Sequence, residues 1–127
     1  MTAAASASKI LIVEDEGIVA FNLQQRLQHM GYRITGLAES GAEGLALVSR
    51  ERPDLVLMDI HIKGDMDGIE LARRATELDP DIKVMFITGF AAVALNPDSK
   101  APKDAKVLSK PFHLRELVNE VEKLLAA

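Results

Sequence analysis

Four short apolar runs in this 127-residue chain end on residues that could do chemistry. Ile10-Leu11-Ile12-Val13 runs into Glu14-Asp15, and Leu55-Val56-Leu57-Met58 into Asp59. Val84-Met85-Phe86-Ile87 runs into Thr88, and Val107-Leu108 passes through Ser109 to Lys110. Singly, each has an ordinary explanation. An Asp after a strand is commonly a turn residue or helix cap, and Glu14-Asp15-Glu16 would serve as the acidic first turn of a helix. Thr88-Gly89 suits a strand-to-turn junction, and Lys110-Pro111 a helix entry. Gathered in one place, however, they make three carboxylates, a hydroxyl and an ammonium. Clustered carboxylates repel one another, which raises their pKa values or demands a cation. All-oxygen ligands with room for water suit Mg²⁺. Phosphoryl transfer depends mainly on positioning and charge stabilisation, which such a set supplies. Asp59 would be its carboxylate nucleophile, with Mg²⁺ bridging it to the phosphoryl oxygens and Thr88 and Lys110 binding the others.

The elements that must position these residues are legible in the hydrophobic pattern. The four continuous runs suit strands buried on both faces, as in a parallel sheet. Tyr32 to Leu37, "YRITGL", is a fifth strand with the alternation of an edge. Between them lie helical patterns. Ala20, Leu23, Leu27 and Met30 recur at spacings of three and four, with Gly31 placed to end that helix. Ser40 and Glu43 form a capping-box pattern ahead of a segment running to about Glu51. Asp67 with Glu70 opens another helix, which Asp79-Pro80 closes. Leu114, Leu117, Val118, Val121, Leu124 and Leu125 make the apolar stripe of the last. Between the fourth and fifth strands only Phe90 to Leu95 looks helical, and Pro97 and Pro102 predict an irregular loop after it. Alternating strands and helices imply right-handed βαβ units. The predicted fold is therefore α/β, a flavodoxin-like three-layer (βα)5 sandwich. Its five-stranded parallel sheet has order 2-1-3-4-5 and its fourth helix is shortened. In that order all strand ends named above fall on one edge, where ligands bind.

The bulk composition agrees. The length fits one domain, read as residues 9–127 behind a disordered tail, 1–8. A net charge of −4 argues against an extended nucleic-acid surface. "LARRA" and "SRER" read as solvated helix faces. With no cysteine, disulfide and thiolate chemistry are excluded. No apolar stretch approaches bilayer length, and "MTAAASAS" lacks the features of a signal peptide. No membrane association and a cytoplasmic location are expected.

In order and spacing, "ILIVEDE", "DLVLMDIHIKGDMDGIEL", "FITG" and "SKPF" resemble the receiver domain of two-component response regulators, over Lys9 to Leu125. The resemblance implies that Asp59 is the phosphoacceptor and that Glu14, Asp15 and Asp59 hold Mg²⁺ with the backbone carbonyl of His61. It implies further that Thr88 is the switch hydroxyl, that Lys110 binds the phosphoryl group, and that Lys110-Pro111 is a candidate cis bond. The implied donor is a histidine kinase or histidine phosphotransfer protein. Any enzymatic activity would be limited to the chain's own phosphoryl transfer and dephosphorylation. His61 and Phe90 are candidates for flanking the phosphoryl group and tuning its access to water. For each, a bland role competes, as a solvent-facing loop residue and as core packing. "MDGIELARRATELDPDIKVMFITGFAAVALNPDS" and "KDAKVLSKPFHLRELV" are similar to the CpdR-type receivers. These are stand-alone alphaproteobacterial cell-cycle regulators that act with an ATP-dependent protease under phosphorelay control. The first half is less similar, and "KGDMDG" carries one residue more than the commoner loop.

One departure bears on signalling. Receivers commonly place Tyr or Phe three residues before the lysine, where this chain has Val107. "FITGF" partly resembles the FATGUY subgroup, which also lacks that aromatic and has a remodelled fourth helix. The likeness implies signalling through order and disorder in residues 89–105. The rival is a receiver-fold interaction module that works without phosphorylation. A dehalogenase-type phosphatase is excluded, because "DMDG" does not follow a buried strand. A flavin-binding flavodoxin fits less well still, because "EDEG" would repel phosphate without a metal where small and hydroxyl residues should cradle it.

Overall fold

A computed structural model describes residues 8–89, 96 and 98–126. Five strands form one sheet: β1 (Lys9–Val13), β2 (Arg33–Ala38), β3 (Leu55–Met58), β4 (Lys83–Thr88) and β5 (Lys106–Ser109). Their order is β2-β1-β3-β4-β5, and every pairing is parallel. The described helices are α1 (Gly17–His29), α2 (Gly41–Glu51), α3 (Gly68–Leu78) and α4 (Leu114–Ala126). The predicted fold and strand order are thus observed.

Alternation along the strands builds the three layers. Leu11, Val13, Val56, Met58, Val84 and Phe86 point to one face and pack with Val48 of α2 and Leu71, Ala72 and Ala75 of α3. Their chain neighbours Ile10, Ile12, Leu55, Leu57, Met85 and Ile87 point the other way, against α1 and α4. Because both faces are covered, the central runs are continuous rather than alternating in hydrophobicity. Among the described residues, no helix is long and apolar enough to cross a membrane.

Local chemistry sets the helix ends. Gly31, at φ +98°, follows the C-cap Met30. Tyr32 N–H donates to Leu27 O at 3.1 Å and Gly31 N–H to Gln28 O at 3.0 Å, the paired bonds of a Schellman motif. Ser40 Oγ accepts from Glu43 N–H at 3.2 Å. The returning Glu43 carboxylate accepts from Glu39 N–H at 3.3 Å, one residue earlier than a capping box would have it. Asp67 Oδ1 accepts from Glu70 N–H at 2.9 Å, while the Glu70 carboxylate turns to Arg73 and Arg74.

Two residues of the apolar patterns lie largely outside the core. Met30 is 42 % exposed because it is the C-cap, beyond the last turn facing the sheet. Leu114, the first residue of α4, is also 42 % exposed. Its stripe is buried at Leu117, Val118 and Val121, and Leu124 and Leu125 pack half-buried against the same core. The region after β4 carries Asx- and turn-type hydrogen bonds, Asp98 N–H to Asn96 Oδ1 and Ala105 N–H to Pro102 O. The shortened helix at Phe90–Leu95, with Phe90 itself, lies outside the described residues, as does the tail except for Ser8.

Candidate functional site

Three site residues hang from the sheet by backbone hydrogen bonds that continue the ladders past the strand ends. Glu14 N–H donates to Ala38 O at 2.9 Å, Asp59 N–H to Val13 O at 3.1 Å and Lys110 N–H to Thr88 O at 2.9 Å. The sheet therefore sets where these side chains leave the main chain. A cis bond joins Lys110 to Pro111. Behind Asp59, α3 is anchored to the same backbone: Gly68 N–H donates to Ile60 O at 2.7 Å. A Cβ at position 68 would fall 2.2 Å from Asp59 O, so only glycine allows this approach.

Side chains far apart in sequence then close on one another. Lys110 Nζ donates to Asp59 Oδ2 at 2.9 Å and to Glu14 Oε1 at 3.1 Å. The second oxygen of Glu14 accepts from Glu16 N–H at 3.1 Å, and Asp59 Oδ1 accepts a longer bond from His61 N–H at 3.4 Å. Glu14 is 4 % exposed, Asp59 9 % and Thr88 fully buried. Thr88 ends β4, paired in register with Ser109. Asp15 is half-buried beside Glu14, and His61 is exposed.

Burial dominates the electrostatics of Glu14. It pushes the carboxyl above its ordinary value, against the lowering effects of Glu16 N–H and Lys110, and the Asp59 charge adds to the rise. For Lys110, burial alone would lower the ammonium. The hydrogen bonds and charges of Asp59 and Glu14 outweigh it and hold the pKa above the usual lysine value. Counting Glu14, Asp15, Asp59 and Lys110, the site holds three negative groups against one positive, so it suits a further cation.

The sequence-predicted residues are brought together only in part. Glu14, Asp59 and Lys110 form one hydrogen-bonded cluster, with Asp15 next to it in the chain. The three acids do not meet as a ready-made cage: among the described residues, no three acidic or histidine side chains are grouped to hold a metal by themselves. The Lys110 ammonium bridges Glu14 and Asp59, which relieves their repulsion. The acidic-first-turn explanation of Glu14-Asp15-Glu16 is not realised, because Glu16 is an N-cap without a side-chain cap and the first turn of α1 holds no acid. Within "LARRA" only Arg73 and Arg74 reach solvent, paired to Glu70 and Glu77, while Leu71, Ala72 and Ala75 are core. Sequence reasoning missed the packing of the 61–67 loop on residues 39–41; its one signal was the extra residue in "KGDMDG".

The chain matches the response regulator receiver domain over residues 10–122. It is 58 % identical over 119 residues to the response regulator receiver protein CpdR of Brucella abortus, covering 94 % of this chain and 98 % of that one. It is 37 % identical over 117 residues to sporulation initiation phosphotransferase F of Bacillus subtilis, covering 92 % and 93 %. Among solved structures, it is similar to the response regulator TrrA of Thermotoga maritima in complex with Mg²⁺-BeF. That similarity has a TM-score of 0.81 at 32 % identity and covers 93 % of this chain and 99 % of that one.

Proposed function

Because the chain belongs to the response regulator receiver domain family, we propose that it accepts a phosphoryl group on Asp59 from a phosphohistidine donor. The observation that carries this reading is the Lys110 ammonium, 2.9 Å from Asp59 and 3.1 Å from Glu14 at the carboxyl edge of the sheet. A carboxylate oxygen of Asp59 attacks phosphorus, forming an acyl-phosphate O–P bond as the donor's P–N bond breaks. The imidazole leaves with the electron pair and takes up a proton. Lys110 offsets negative charge on the phosphoryl oxygens, and Thr88 supplies a hydroxyl donor to them. His61 N–H, already directed at Asp59 Oδ1, helps to hold the carboxylate in place.

The excess of negative charge suits Mg²⁺, with Glu14, Asp15, Asp59 and the His61 carbonyl as the residues that would hold it. When bound, Mg²⁺ supplies charge neutralisation for the transferring group. The His61 side chain and Phe90 are the candidates for setting the lifetime of the phosphoryl group against water. Replacing either with alanine should change that lifetime, and unchanged hydrolysis in both would remove this role.

The output is protein–protein contact through α4, β5 and the segment leading into β5. The likeness to CpdR-type receivers supports a place in a cytoplasmic cell-cycle phosphorelay that acts on an ATP-dependent protease. The deciding experiment is phosphorylation by acetyl phosphate with Mg²⁺, for wild type and Asp59→Asn. A modification present in wild type and lost in Asp59→Asn is expected. An unmodified wild type would instead favour an interaction module working without phosphorylation. The specific observation behind that second reading is Val107, half-buried where receivers commonly carry the switch aromatic.

A further inference from the structure

The loop between Asp59 and α3 carries an extra residue, yet it is not left loose. Lys63 forms an isolated parallel bridge with Ser40. Its N–H donates to Glu39 O at 3.0 Å and its ammonium reaches the Glu39 carboxylate at 3.3 Å. Three residues on, Met66 lies over Gly41: a Cβ built at Gly41 would fall 2.8 Å from Met66 Cβ and 2.9 Å from its Sδ. The loop is therefore strapped to the start of α2 by one backbone bridge, one ion pair and one apolar contact.

The segment holding the strap also holds the acids. Ala38 O, just before Glu39, accepts the backbone N–H of Glu14. At the other end of the strap, His61 N–H contacts Asp59 Oδ1. The two halves of the carboxylate cluster thus share a support running through residues 38–41 and 61–66. We infer that Lys63, Met66 and Gly41 are positioning residues for cation binding, fixing the His61 backbone and Asp59 relative to Glu14. The inference rests on the Mg²⁺-assisted reading above. Partners that orient ligands without touching the ion commonly set affinity.

Gly41→Ala is the direct test, because it alters no acid and pushes Met66 off the start of α2. The φ of Gly41 is not positive, so the fold can accept alanine there once Met66 gives way. Met66→Ala is the second variant, should the first fail to fold. Mg²⁺ affinity would be measured by calorimetry on the unphosphorylated protein, beside the Mg²⁺ dependence of phosphorylation by acetyl phosphate. Affinity should weaken about tenfold in both variants, the lower end for such partners. It should weaken about threefold in Lys63→Ala, whose ion pair is exposed, and recover in Lys63→Arg. Phosphorylation at saturating Mg²⁺ should stay within about twofold of wild type. A purely structural role would lower melting temperature without moving the Mg²⁺ dependence. Folded variants that bind Mg²⁺ like wild type overturn this inference alone. A wild type that binds no Mg²⁺ overturns the cation reading and the inference with it.

Discussion

Replacing Lys110 by methionine keeps most of the side-chain volume and removes the only ammonium described between Glu14 and Asp59. Breaking a fully buried pair costs about 3–5 kcal/mol, because the remaining charge is left uncompensated. The Lys110 side chain is 24 % exposed, so the cost here is smaller, about 2–3 kcal/mol at pH 7. The loss also has a ceiling, because a stranded carboxylate takes up a proton instead. From an ordinary value of 4.5 for Glu14 to pH 7, at about 1.4 kcal/mol per pH unit, the ceiling for Glu14 is about 3.5 kcal/mol. At pH 5 the same product is about 0.7 kcal/mol. The sign follows from linkage. A carboxyl raised on folding stabilises the native state below its unfolded pKa, and that contribution is lost as pH rises through the folded pKa. Lys110→Met raises the Glu14 carboxyl further and steepens the loss. Urea unfolding followed by circular dichroism at pH 5 and pH 7 measures both terms. A penalty that does not grow between pH 5 and pH 7, or a variant more stable than wild type at pH 7, would refute the argument.

Asp59→Asn should abolish phosphorylation and stabilise the protein by about 1 kcal/mol at neutral pH, because it removes one of two like charges around Lys110; urea midpoints and acetyl-phosphate labelling test the two effects separately. Gly68→Ala should cost at least about 2 kcal/mol, because its Cβ would meet the backbone of Asp59 and Ile60, which cannot swing aside like a side chain; chemical denaturation checks it. Glu70 is held at about 2 by hydrogen bonds to Arg73 and Arg74. Its contribution is present above the unfolded value of 4.5 and lost as pH falls toward 2. The Glu70–Arg73–Arg74 cluster lies at the surface with its side chains about a third or more open to solvent, so Glu70→Gln should leave the melting temperature nearly unchanged in physiological salt. Ser40→Ala removes the acceptor for Glu43 N–H and should cost about 1 kcal/mol, read from urea midpoints.

The sequence by itself determined the layers and which residues stand at the carboxyl edge of the sheet. Continuous apolar runs require strands covered on both faces, and parallel strands bring their carboxyl ends to one edge. The places of Glu14, Asp59, Thr88 and Lys110 at the strand ends were therefore legible before any contact was known. The helix starts at Ser40 and Asp67 and the stop at Gly31 were equally legible, since capping involves residues only a few positions apart. Periodicity assigns a face to a side chain but not the end of the surface that covers it, so the exposure of Met30 and Leu114 at the ends of their stripes was not legible. Only the tertiary structure decided that Lys110 closes on Glu14 and Asp59, contacts spanning 96 and 51 residues. It alone decided that the 61–67 loop is strapped to residues 39–41. Such contacts form between side chains whose separation is set by how the elements pack, and hydrophobic pattern carries no record of that distance.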